Sequence, residues 1–215
     1  MRRVLVLALL AMALPMTAWA DIISMNQFGT VSITGMSGTE GLGTIGTSTI
    51  TSTGSQLIQW NTTTGHLGNV NFQTGALTSG SVSGGGTFAG GGYFDIIGVG
   101  AWASTLTGGH CGSGCTLFAG SFSGPVTWTL LSSTKQESSF ELSGTISGML
   151  YTGRDVTGTT TQFINILSRG QLNQGIGHVN MGKNQLTVPE PGTLGLLGTG
   201  LLGIAGMFRR KLTKS

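Results

Sequence analysis

The sequence predicts an all-β body, rich in Gly, Ser and Thr, folded as a β-sandwich of about ten strands and followed by one C-terminal membrane helix. Three observations carry that expectation. Apolar residues of the body recur with period two rather than 3.6. Glycine-rich breaks around residues 35–43, 84–92 and 108–114 punctuate strand signals that return about every ten residues. No stretch of the body carries an amphipathic helical pattern. A β-solenoid is the runner-up, because Thr87-Phe88-Ala89-Gly90 and Leu117-Phe118-Ala119-Gly120 look alike, but no fixed period is sustained.

Met1, Arg2 and Arg3 supply a positive region, residues 4–16 an apolar run broken only by Pro15, and Ala18-Trp19-Ala20 the small residues that a signal peptidase accepts. Residues 1–20 therefore read as a signal peptide cut between Ala20 and Asp21. The apolar run is short for the alternative, an uncleaved anchor.

Residues 21–187 then form an exported β-rich domain, one domain's worth by length. Its four bases, Lys135, Arg154, Arg169 and Lys183, face six acids, Asp21, Glu40, Asp95, Glu137, Glu141 and Asp155, which leaves the body weakly acidic. The basic pI of about 9.2 belongs to the two chain ends. Nucleic acid is not expected as a partner, since its binding rests on phosphate contacts by clustered Lys and Arg.

The strands follow in chain order. Val31 and Ile33, Ile58 and Trp60, and Val70 and Phe72 mark the first three. Val126, Trp128 and Leu130 alternate with Thr127 and Thr129, while Phe140, Leu142, Gly144, Ile146, Gly148 and Leu150 alternate with polar residues. Ser132 to Ser139 join these two runs, so they predict an antiparallel hairpin with a longish loop. Residues 163–167 supply a further strand.

Cys111 and Cys115 are the only cysteines, and an exported chain meets an oxidising compartment. The glycines between them allow a small ring, so a disulfide is expected. His110 beside them invites a metal reading, but His-Cys-x3-Cys offers only three ligands, and no metal or other cofactor is expected.

Catalytic residues are expected to be none. Glu137 and Glu141 fall on a hairpin loop and a solvent face, whereas a glycosidase pair needs carboxylates converging in a cleft. Gly41, Gly43 and Gly46 spell G-x-G-x-x-G, yet strand-forming residues 47–53 follow where a phosphate-binding helix is required. The three histidines are scattered, and no serine stands in a nucleophile elbow.

Binding has more to work with. Trp60, Trp102, Trp128 and Tyr93 could build an aromatic platform for sugar rings; Trp60 and Trp128 are in phase with core residues, which leaves Trp102 as the tryptophan expected to be exposed. Thr47, Thr49, Thr51 and Thr53 would line one face of a strand, a pattern that can order water. Asn61-Thr62-Thr63 is a glycan acceptor pattern.

At the C-terminus, Val188-Pro189-Glu190-Pro191-Gly192 precedes an apolar stretch at residues 193–208 and the basic stop Arg209-Arg210-Lys211. As a helix the stretch would be about 24 Å long, a marginal membrane span that snorkelling bases could complete. Its Gly195, Thr199 and Gly203 fall four apart and form a smooth face. The flanking charges keep the last residues cytoplasmic and export residues 21–192. Pro189 and Pro191 hold the backbone around them extended, a form a protease can read.

This tail, residues 188–215, resembles the PEP-CTERM sorting signal: Pro189, Glu190 and Pro191 match its motif, residues 193–208 its membrane helix, and Arg209, Arg210 and Lys211 its basic end. The same tail is also named after ice-binding proteins, a label that does not by itself extend to the body. The resemblance implies handling by signal peptidase and by the membrane peptidase exosortase in a Gram-negative bacterium. It implies a transient inner-membrane tether through residues 193–208 and then delivery to the cell surface or extracellular matrix, where exopolysaccharide would be a partner. The expectation is thus a non-enzymatic structural protein of surface or biofilm matrix, with a carbohydrate-binding module as the alternative and a hydrolase or ice-binding protein behind it.

Overall fold

Eleven strands account for most of the chain described by the computed structural model, which covers residues 21–35, 43–109, 111, 114–167 and 176–188. They are β1 (Asp21–Ile33), β2 (Ile50–Trp60), β3 (Thr63–Gln73), β4 (Leu77–Ser81), β5 (Gly85–Phe88), β6 (Gly91–Gly98), β7 (Cys115–Phe122), β8 (Val126–Ser133), β9 (Ser138–Leu150), β10 (Asp155–Ile166) and β11 (Ile176–Val188). One helix, α1 (Gly100–Thr107), lies between β6 and β7.

The sheet order is β10-β11-β1-β2-β3-β6-β7-β9-β8-β5-β4, and β9 also pairs with β10. That extra pairing bends eight strands into a ring, β9-β10-β11-β1-β2-β3-β6-β7, so the body is a closed barrel and neither the expected sandwich nor a solenoid. Two strands make the closure. β9 runs beside β10 along its whole length, from Met149 opposite Asp155 to Ser138 opposite Ile166. On its other edge β9 divides, pairing Ser138–Ser143 with β8 and Ile146–Leu150 with β7. The fork falls at Gly144, where any Cβ would press on Phe122 Cδ1 at 3.1 Å and Val126 Cγ2 at 3.2 Å. Closure leaves the eight ring strands paired to one another around the barrel, and the sheet's remaining edge is β4, at the end of the branch β8-β5-β4.

An eight-stranded barrel is just wide enough for side chains to fill it. Phe72, Phe94, Phe118 and Phe122 do so here: Phe72 and Phe94 stack at 5.8 Å, and the edge-to-face contacts of Phe122 and Phe118 complete the group. The branch β8-β5-β4 adds Leu77, Phe88, Val126 and Trp128 to the same core, with Trp128 stacked on Phe140 at 4.4 Å. Outward positions are largely Ser, Thr, Asn and Gln, the reverse of the apolar outer band of a membrane barrel.

The hairpin predicted over residues 126–150 is β8 and β9, with Leu130 opposite Phe140 and Trp128 opposite Leu142. Elsewhere bulges shift the phase. In β2 the register with β3 slips between Leu57 and Gln59, so Leu57 and Trp60 are buried and Ile58 is only half-buried. Thr47 lies in a turn and Thr49 ahead of β2, so the four-threonine strand expected over residues 47–53 does not form. Gly43 and Gly46 take positive φ in that same stretch, and a strand follows them rather than a helix.

Helix α1 went unforeseen because its eight residues bear no charges and lack a side-chain N-cap. Gly108, left-handed at φ 86°, ends it, and Ser104, Thr105 and Thr107 return their hydroxyls to carbonyls four residues back. Ile22–Val188 form one compact unit. The membrane helix expected at residues 193–208 lies outside the described residues; among those described, no helix is long and apolar enough to cross a membrane.

Candidate functional site

The direction of the strands brings the start of β1 and the finish of β11 to one end of the barrel. β11 descends antiparallel to β10, ending with Thr187 opposite Thr157, and β1 ascends antiparallel to β2 from Met25, opposite Trp60. The same end receives the β2–β3 turn, the last residues of β6, α1 and the first residues of β7. Trp102 of α1 packs on Trp60 at 6.2 Å and donates its indole N–H to Leu67 O at 2.8 Å. The tryptophan expected to be exposed is therefore half-buried and occupied in holding the helix over the barrel end. Trp60 and Trp128 are buried, and Trp128 donates to Val82 O at 2.7 Å.

The Cys111–Cys115 disulfide, with Cα atoms 5.1 Å apart, ties the segment after α1 to the start of β7. Thr107 Oγ1 lies 2.7 Å from Cys111 Sγ, and Ser104 Oγ donates to Cys111 O at 2.7 Å, so the bridge braces the cap helix. His110 falls outside the described residues. Among the described residues no three His, Cys, Asp or Glu side chains gather at a metal-binding spacing.

Of the four aromatics, Tyr93 alone stays on the outer wall. It faces outward from β6 opposite Gln73, while Asp95, two residues on, faces Asn71 of β3 and Ala119 of β7. Burial pushes the Asp95 carboxyl above its ordinary value, and a hydrogen bond from the Gly120 backbone pulls the other way. Tyr93, Asp95, Asn71 and Gln73 thus present a ring, a carboxylate and two amides on neighbouring strands, the groups that contact sugar faces and hydroxyls.

A second outer surface is rich in hydroxyls. Ser121, Ser147, Thr157 and Thr187 lie opposite one another across β7, β9, β10 and β11. Thr145, Thr159 and Gln185 form the next row, and Ser143, Thr161 and Lys183 the one after it. Glu141 sits farther along the same wall between Thr129 and Phe163, whereas Glu137, on the hairpin loop, accepts a hydrogen bond from Asn165 Nδ2. Asn61, the glycan candidate, has φ 52° in the β2–β3 turn, and its Oδ1 accepts from Ser24 N at 2.9 Å.

Sequence reasoning missed a buried polar cluster. Gln27, Thr160, Gln162 and Asn184 are sealed inside the barrel where β1, β11 and β10 meet. Gln27 Nε2 donates to Gln162 Oε1 at 2.9 Å; Gln162 Nε2 donates to Thr160 Oγ1 at 2.7 Å and to Asn184 Oδ1 at 3.0 Å; Thr160 Oγ1 donates to Asn184 Oδ1 at 2.6 Å. The available signal was phase: Gln27 follows Met25 by two, Gln162 precedes Ile164 by two, and Asn184 precedes Leu186 by two.

Ala20 lies just ahead of β1, whose first residue is Asp21; Pro189, Glu190, Pro191, Arg209, Arg210 and Lys211 follow β11. Apart from Asp21, these residues lie outside the described portion. Residues 187–211 match the PEP-CTERM protein-sorting motif. No curated protein and no solved structure matches the chain. The motif marks an exported protein sorted by an exosortase.

Proposed function

We propose that this exosortase-sorted chain delivers a non-catalytic barrel to the cell surface or extracellular matrix, where it acts as a structural component. The observation that carries the reading is the junction: a sorting motif at residues 187–211 is fused without a spacer to a barrel whose outer wall bears successive rows of Ser and Thr. Such a wall is hydrated and nearly uncharged, suited to lying among neutral polymers without the salt sensitivity of a charged surface. The tether at residues 193–208 is transient in this reading, and signal peptidase acts between Ala20 and Asp21. The test is fractionation of the producing cells with an antibody to the barrel. Wild-type protein should reach the matrix fraction, and replacing Pro189, Glu190 and Pro191 by alanine should hold it in the inner membrane. Equal matrix delivery of both would refute the assignment.

The second reading, carbohydrate binding, is favoured by Tyr93 with Gln73, Asn71 and Asp95 on the outer wall. Retention of the mature protein on the producer's exopolysaccharide, lost on Tyr93→Ala and unaffected by Trp102→Phe, would support it. Retention unchanged by Tyr93→Ala would reject this face as the binder.

A further inference from the structure

The sorting motif begins inside the fold. Its first two matched residues, Thr187 and Val188, are the last two of β11, and β11 is the strand inserted between β10 and β1 to close the ring. Thr187 lies in the ladder opposite Thr157, Leu186 is fully buried, and Val188 is 7% exposed. β11 and β10 are also in close contact here, since a Cβ on Gly158 would run into Gln185 O and lie 2.9 Å from Leu186 Cδ2.

A protease binds its substrate as an extended strand with unpaired backbone, and a segment held in a ladder must first be released by local unfolding. Releasing the end of β11 would break pairing with β10, expose Leu186 and Val188, and disturb Asn184 with its buried partners. The ladder between the two strands is seen through Thr187, opposite Thr157.

We propose that barrel closure sets the N-terminal limit of processing: the bond that exosortase cuts is Val188–Pro189 or one beyond it, and the mature protein keeps β11 whole. In hydrolysis, water gives its hydroxyl to the carbonyl carbon retained by the barrel and a proton to the departing amine, so the mature barrel ends in a new carboxylate.

The test is intact mass of the secreted protein, from wild type and from a variant with six Gly and Ser residues inserted between Val188 and Pro189. Wild type should end at Val188 or later, and the insertion variant should likewise retain all of β11, with its cut directly after Val188, within the insert or beyond it. A wild-type product ending at Thr187 or earlier overturns the proposal, as does an insertion variant cut within β11. A secreted chain still carrying Phe208 overturns it together with processing itself, and its mass tells the two failures apart. Leu186→Ser, which weakens the hold on β11, should add products shortened by one to several residues to the wild-type species. An unchanged single terminus in that variant, with its unfolding midpoint lowered, would mean that closure does not set the limit.

Discussion

Asn184→Ala is the sharpest perturbation of the barrel, because Asn184 Oδ1 accepts two hydrogen bonds inside a sealed interior, from Thr160 Oγ1 at 2.6 Å and Gln162 Nε2 at 3.0 Å. Removing it leaves the Thr160 hydroxyl proton and one Gln162 N–H without an acceptor, and takes from Gln27 Oε1 its long 3.4 Å contact with Asn184 Nδ2. A buried group left without its partner costs about 1–3 kcal/mol, so two of them, with some relaxation, should cost about 3 kcal/mol. For a domain of this size that is a fall of about 6–12 °C in Tm. The assay is urea and thermal unfolding of the secreted protein, combined with Thr160→Val in a double-mutant cycle. Thr160→Val takes away the hydroxyl that Asn184→Ala strands, so the double variant should lose much less than the sum of the singles. A single-variant cost below about 1 kcal/mol, or strict additivity, would refute the view that these side chains act as one unit.

Three further outcomes follow from the geometry. Trp102→Ala removes the indole bond to Leu67 O and half of the Trp60 contact, and should cost about 2 kcal/mol in urea unfolding, about half the figure for a fully buried tryptophan; no loss would mean that α1 is not held by this residue. Replacing Cys111 and Cys115 together by serine opens a five-residue ring, for which chain entropy gives about 2 kcal/mol and a Tm drop of about 4–8 °C; an unchanged Tm would contradict the bracing role. Asp95, with its pKa raised by burial, binds its proton more tightly folded than unfolded, so its contribution to stability is best below about pH 4 and is lost as pH rises through the folded value. Asp95→Asn should therefore gain stability relative to wild type at pH 7 and lose that gain on acidification, read from urea midpoints at both pH values; a variant no more stable at pH 7 would sink the argument.

The β8–β9 hairpin was legible because Val126, Trp128, Phe140 and Leu142 alternate without interruption, and each lands inside. Ring closure was not legible, and β11 shows why. Its inward residues are Gly177, Val179, Gly182, Asn184, Leu186 and Val188, so only half of its inward positions announce a buried strand by apolarity. Without β11 the remaining strands read as an open two-layer arrangement. The Trp102 misreading has a similar cause: glycines around α1 suggested a loop, whereas the short helix is stabilised by contacts with Trp60 and Leu67, far away in sequence. Bulges are invisible to a period-two reading, and the one at Leu57–Gln59 moved burial from Ile58 to Leu57.

The polar cluster explains how so weakly apolar a strand finds its place. Apolar contacts tolerate sliding, but a slip of β11 by one residue would turn Asn184 outward and leave Gln162 and Thr160 buried without their acceptor. Gly182 adds a steric requirement, since any Cβ there would overlap Gln162 Oε1 and crowd Gln27 Cγ at 2.5 Å. The register between the two chain ends is thus specified by hydrogen bonding and by a missing side chain rather than by hydrophobic matching. Because β1 is the first of the described strands and β11 the last, that check can be completed only after the chain has been delivered through Asn184, five residues before the Pro-Glu-Pro motif begins. A barrel that closes correctly therefore orders β11 through Val188, the second residue of the matched sorting motif, which places the end of the fold inside the start of the sorting signal.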